Sequence, residues 1–304
     1  MNGERRIARI VTAPTVSEGE GFLVNRPFPR ADLDQVDPFL MLDQMGPADH
    51  GPGEARGTAP HPHRGFETLT YVLEGGLRHR DSFGNTGHVR DGGVQQMTAG
   101  AGLVHEEKPD ETLMQDGGRL HAVQIWINLD RAHKMMPPAY LDVQGGDIPQ
   151  VPLDGGTALV RVITGELEGL RSPVQTVNPT TILHVRLDAD ADIRLSLTPG
   201  WNAAVYMLGG SAVIADDTEP VAFRQMALLD SEGGSLRLCG HGAGGDILVL
   251  TGAPISEPLA RYGPFVMNSV GEIKQAILDY QANRMGTIRP RNAARHDHKS
   301  VRPG

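Results

Sequence analysis

Four side chains in the first half of the chain have the types and spacing of a transition-metal site. His61 and His63 are separated by one residue, and so are His105 and Glu107. Successive side chains of an extended segment alternate faces, so each pair points to a common side. Brought together, the pairs offer three imidazoles and one carboxylate. That set suits a divalent first-row metal, whereas calcium or magnesium would want mostly oxygen. With 12 histidines in the chain, one close pair alone is a weak signal. A second pair with the same spacing, about four strand lengths further on, is what closing a β-barrel would require.

The segments that must position these residues read as short antiparallel strands. Glycine and proline contribute 38 and 22 residues and recur between apolar runs rich in Val, Ile and Thr, which favours an all-β fold with many turns. Thr68 to Leu73, Glu74-Gly75-Gly76 and Leu77 to Asp81 predict a hairpin. Val94 to Met97 is a further strand, and Ala99-Gly100-Ala101-Gly102 leads into the one bearing His105. His121 to Leu129 alternates around Val123, Ile125 and Ile127, with Trp126 pointing the other way as a core aromatic. His50 falls in a Gly- and Pro-rich stretch, 46–60, read as a rim loop with the histidine in solvent.

At 304 residues the chain exceeds the usual single core, so two compact units are expected. A linker rich in Pro and Gly, 135–156, divides it. Residues 1–134 form the expected metal-binding barrel, 135–287 a second barrel plus a helix, and 288–304 a flexible basic tail. In that tail, His296 and His298 are read as disordered rather than metal-binding. Tyr206-Met207-Leu208-Gly209-Gly210 echoes Tyr71-Val72-Leu73-Glu74-Gly75 at a shift of 135 residues, which suggests a tandem duplication. At that shift Ser196, Thr198 and Gly240 replace His61, His63 and His105, so the second unit lacks the ligands. His184 and His241 read as hydrogen-bonded core or surface residues. Ser269, with Glu272 three positions on, predicts a capping box, and Val270, Ile273, Ala276, Ile277 and Tyr280 share one helical face.

The formal charge of -9 argues against nucleic-acid binding by phosphate neutralisation. Cys239 is the only cysteine, which rules out an intrachain disulfide and a cysteine-based zinc site within one chain. No apolar signal-type segment or membrane-length run is seen, so a cytoplasmic protein without membrane association is expected.

Pro60-His61-Pro62-His63-Arg64-Gly65-Phe66-Glu67-Thr68, and Met97-Thr98-Ala99-Gly100 followed by His105 and Glu107, resemble the pirin family of the cupin superfamily. The resemblance extends to Asp37-Pro38-Phe39-Leu40, Leu73-Glu74-Gly75-Gly76 and Tyr262-Gly263-Pro264-Phe265-Val266-Met267-Asn268. It implies an all-β bicupin of two antiparallel barrels packed face to face, with metal only in the first. It places the ligands on His61, His63, His105 and Glu107. Ferrous iron, Fe(II), is the usual occupant, with nickel, manganese, cobalt, copper and zinc as alternatives. Cupins in general would instead use Glu67, four residues past His63 and so of matching parity; it is the runner-up ligand or outer partner.

The activity implied is opening of flavonols such as quercetin by dioxygen, with Glu107 as the base that takes the 3-hydroxyl proton. The alternative is a non-catalytic iron-binding regulator whose partner is a transcription factor or metabolic enzyme. A purely structural zinc barrel is disfavoured, because closed zinc sites usually include cysteine.

Overall fold

Alternating apolar positions punctuated by glycine turns fold into antiparallel ladders throughout the computed structural model, which describes residues 3–19, 22–215, 217 and 219–288. The tail positions His296 and His298 lie outside the described residues. No helix among the described residues is long and apolar enough to cross a membrane.

The first unit is a jelly roll of two sheets. One has seven strands in the order Ala139–Val143, Val94–Thr98, Phe66–Glu74, Gly118–Asn128, Phe39–His50, Phe22–Phe28 and Thr15–Glu18. The other has four, His61–His63, Leu103–Pro109, Gly76–Asp81 and Thr86–Arg90. The second unit is a nine-stranded sheet built around the long strand Ser235–Gly252, which pairs with Thr180–Leu187, Asp192–Ser196 and Asn202–Ile214. These are the two expected cupin units, although their sheets stay open rather than closing into continuous barrels.

The expected hairpin across Glu74-Gly75-Gly76 does not form. Phe66–Glu74 pairs with Gly118–Asn128 and Val94–Thr98, whereas Gly76–Asp81 joins the other sheet. Gly75, at φ +94°, turns the corner between sheets, and a side chain there would sit 2.6 Å from the Arg119 carbonyl oxygen. A local turn signal cannot distinguish a hairpin from a sheet corner; the distant pairing partners decide.

Period-two alternation separates two environments in the first unit. Leu69, Tyr71, Val123, Ile125 and Ile127 point outward and pack with Ile182, Ala204, Tyr206, Leu248 and Leu250 of the second unit. Burying each such side chain stabilises by roughly 1.5–3 kcal/mol. The intervening Thr70 and Gln124 point into the first unit, where their side chains meet Glu107. In the second unit the positions equivalent to Thr68 and Thr70 are Ala203 and Val205, part of an aliphatic core with Leu183, Val185, Ile247 and Val249. That interior is packed where the first is polar.

Segments near both ends of the described residues cross over. Ile7–Thr12 adds to the second sheet against Gln225–Leu229. Phe265, Met267, Ile273, Ala276 and Met285 pack on Val104 of the first unit. The predicted helix spans Val270–Gln281 with Ser269 as N-cap; Glu272 Oε2 accepts from the Asn268 backbone NH at 3.0 Å. Only Ile273 and Ala276 of its expected face are buried, and Val270 is 66% exposed. A second helix, Glu111–Asp116, has six residues, too few to leave a readable period. The linker is not bare: Ala139–Val143 edges the first sheet and Gln150–Leu153 the second.

Candidate metal centre

Strand register brings the histidines together. His61–His63 lies antiparallel to Leu103–Pro109 with His61 opposite His105 and His63 opposite Leu103. The Nε2 of His61 lies 3.1 Å from that of His63 and 2.9 Å from that of His105. Ligand atoms of the three rings fall within 4.8 Å of one another, the only such group of three found among the described residues.

The remaining nitrogen of each ring has its own partner. His61 Nδ1 lies 2.9 Å from the Ala59 carbonyl oxygen and His63 Nδ1 lies 3.4 Å from that of Pro264. A carbonyl only accepts, so these Nδ1 atoms carry the protons and each Nε2 presents a lone pair to the cluster. Burial holds His63 and His105 well below the usual histidine range, reinforced by the neighbouring imidazoles. Both rings are neutral at pH 7, the form that binds metal. The three-histidine cluster therefore fits a divalent transition metal.

His105 Nδ1 faces a side chain that spacing did not single out, His79, at 3.5 Å. His79 and Asp81 alternate on their strand as His105 and Glu107 do on the neighbouring one, which is the only trace of them in the sequence. Glu107 stands outside the histidine group, its carboxylate accepting from Gln124 Nε2 at 2.7 Å, Thr70 Oγ1 at 3.3 Å and Gln95 Nε2. It shares the wall of one cavity with His61 and His63.

Glu67 is not at this site. It is fully buried on the side of its sheet toward the second unit, accepting from Gln96 Nε2 and Thr98 Oγ1 at 3.0 Å and from the Val177 backbone NH at 2.9 Å. Desolvation raises its pKa. The parity argument presumes one continuous strand from His63, and Gly65 breaks it. At φ +88° that residue separates His61–His63 from Phe66–Glu74, and a Cβ there would lie 1.9 Å from the Val266 carbonyl oxygen.

The cavity measures about 1180 Å³ and is walled by both units: Met41, Met45 and Trp126 from the first, Phe223 and Arg224 from the second. Trp126, expected as a core aromatic, packs on the buried cluster of Leu40, Phe66 and Val266 and also lines the cavity. Its ring lies 5.0 Å from that of His63 and stacks on Phe66 at 4.3 Å. His50, expected in a solvent loop, ends the strand Phe39–His50 and lines the same cavity. His184 and His241 are hydrogen-bonded elsewhere, to Tyr71 and Ser211.

Comparison with known proteins gives consistent results. The family model Pirin matches residues 21–127, and the model for the Pirin C-terminal cupin domain matches residues 182–286. A protein of Pseudomonas aeruginosa named "Putative quercetin 2,3-dioxygenase" is 42% identical over 270 residues, spanning 88% of this chain and 93% of that one. Human pirin is 36% identical over 289 residues, spanning 94% and 96%. A crystal structure of quercetin 2,3-dioxygenase from Acinetobacter baumannii superposes with TM-score 0.89 at 34% identity, covering 94% of this chain and all of the other.

Proposed function

The chain belongs to the pirin family, and from that premise we propose that it is a metal-dependent dioxygenase that opens flavonols such as quercetin. The observation that carries this reading is the convergence of three imidazoles, two of which, His61 and His63, line a large, partly apolar cavity together with Glu107. His61, His63 and His105 hold the metal, Fe(II) in this reading, and Glu107 completes the set. When bound, the metal supplies Lewis acidity toward the 3-hydroxyl and a redox partner for dioxygen.

The residues of the chain do the rest. Glu107 accepts the 3-hydroxyl proton, a role for which Gln124, Thr70 and Gln95 hold its carboxylate in place. Trp126, Met41 and Met45 offer flat and pliable apolar surface to the rings. The second unit, with its interior filled, supports the site and closes part of the cavity. An unpaired single cysteine suits a reducing compartment, and we place the protein in the cytoplasm.

The test is anaerobic loading with ferrous iron, and in parallel with nickel, manganese, cobalt, copper and zinc. Quercetin and oxygen are then added while flavonol absorbance and released carbon monoxide are followed. Turnover with at least one metal is expected. No turnover with any of them, in protein shown to carry metal, would sink the dioxygenase reading.

A further inference from the structure

We propose that His79 and Asp81 are positioning residues of the metal centre, acting through His105 by fixing which of its ring nitrogens carries the proton. The inference rests on the metal reading above. His61 and His63 are oriented by backbone carbonyls, but His105 has only a side chain for this purpose. On the strand beside it, Asp81 is the register partner of His105 and His79 that of Glu107.

The chain of bonds starts at Asp81, 4% exposed. Its Oδ1 accepts from the backbone NH of Phe83 at 2.9 Å and of Asn85 at 3.0 Å, and its Oδ2 from Asn85 Nδ2 at 2.8 Å. Oδ2 also faces His79 Nε2 at 3.3 Å. A carboxylate only accepts, so His79 carries its proton on Nε2 and presents a lone pair at Nδ1. That lone pair faces His105 Nδ1 at 3.5 Å. His105 therefore keeps its proton on Nδ1 and turns an unprotonated Nε2 toward His61, 2.9 Å away. Tyr140 stacks on the His79 ring, centroids 4.2 Å apart at 13°, and holds its plane. The buried Asp81 carboxylate thus orients and polarises two neutral imidazoles in series, which raises the basicity of the ligand atom.

Asp81→Asn tests this with little change of shape. Its amide NH2 would face His79 Nε2 and turn that atom into an acceptor. The His79 proton would move to Nδ1, against the Nδ1–H of His105, and the His105 proton would move to Nε2, the ligand atom. In metal-free protein, nitrogen NMR of the imidazoles should show His105 protonated on Nδ1 in the wild type and on Nε2 in Asp81→Asn. Cobalt(II) affinity should fall about 10- to 100-fold, with altered visible bands. His79→Gln, whose carbonyl oxygen can accept from His105, should keep the wild-type affinity, and His79→Leu should lose it as Asp81→Asn does. Wild-type affinity and bands in Asp81→Asn or His79→Leu, or an unchanged His105 tautomer, would overturn the proposal. If Asp81→Asn does not fold, the two His79 variants decide. Wild-type protein that binds no cobalt would instead remove the metal reading, and the tautomer comparison separates the two failures.

Discussion

Tyr71 and Tyr206, 135 positions apart, reach across the interface between the units in opposite directions. The Tyr71 hydroxyl lies 2.8 Å from His184 Nδ1, and the Tyr206 hydroxyl donates to Gln44 Oε1 at 2.8 Å. Gln44 then donates through Nε2 to the Leu208 carbonyl at 2.9 Å, and the same Nε2 stands 2.9 Å from His121 Nε2. Asp246 Oδ1 lies 3.2 Å from His184 Nε2, which makes that nitrogen the donor and leaves Nδ1 to accept from Tyr71. Burial raises both phenols, Tyr71 to about 12, so both hydroxyls keep their protons.

Removing either hydroxyl leaves a buried acceptor without its donor. Tyr206→Phe and Tyr71→Phe should each cost about 1–3 kcal/mol. Urea midpoints should fall with unchanged slope, and metal content should be retained.

The metal-free protein should lose stability on mild acidification. Burial lowers His121 to about 4 and moves His63 and His105 in the same direction. The unfolded chain, with histidines near 6.5, takes up protons first as pH falls. The stabilisation is therefore complete above about pH 6.5 and falls as pH drops below it, the His121 part draining away toward about pH 4, by up to about 1.4 kcal/mol per unit per histidine. Urea titrations at neutral and mildly acid pH measure the slope; a flat profile would contradict the buried neutral state of these rings.

Arg64, the residue after His63, is anchored from the far end of the chain. It donates to Asp279 Oδ2 at 2.7 Å and to the Ala101 carbonyl at 2.7 Å, with its side chain only 5% exposed. Asp279→Ala strands this cation and should cost about 3–5 kcal/mol. Metal affinity should drop as well, since Arg64 fixes the backbone next to a proposed ligand. Denaturation and metal titration read the two effects separately.

Gly65→Ala would force a side chain into a left-handed backbone against the Val266 carbonyl. A loss of at least about 1–3 kcal/mol is expected from the backbone alone. The joint that turns the chain away from His63 would shift, so metal content after purification should fall too.

Glu107→Gln keeps the shape and removes the charge. With Glu107 as base, kcat should fall about 10²- to 10⁴-fold. His63→Ala should lose bound metal together with activity. Full activity and full metal content in either variant would mean that the ligands and base are misassigned.

Parts of the structure are legible in the residues because their signals are local. The spacing of His61 with His63 and of His105 with Glu107 is a property of any extended strand. Ser269 and Glu272 announce a helix start within four residues. The Tyr71 and Tyr206 stretches repeat because both units use that strand at the interface. Glu67 is misread, and the cavity-facing side of Trp126 is missed, for a different reason. The first lies beyond a glycine joint that resets the alternation, and the second sits where a small core cluster borders the cavity, which one strand's pattern cannot distinguish from a closed core.

The sequence by itself determined the paired histidine and glutamate positions, the two-unit plan and the absence of histidine from the equivalent positions Ser196, Thr198 and Gly240 of the second half, since all three follow from residue identity at short or repeated spacing. Tertiary structure alone decided which sheet each strand joins and that His79, rather than Glu67, stands beside the histidine cluster. It also decided that residues from the second unit and the C-terminal segment frame the cavity. Those outcomes depend on hydrogen-bond partners tens to hundreds of positions away, and a glycine corner such as Gly65 or Gly75 looks the same in sequence whichever partner it serves.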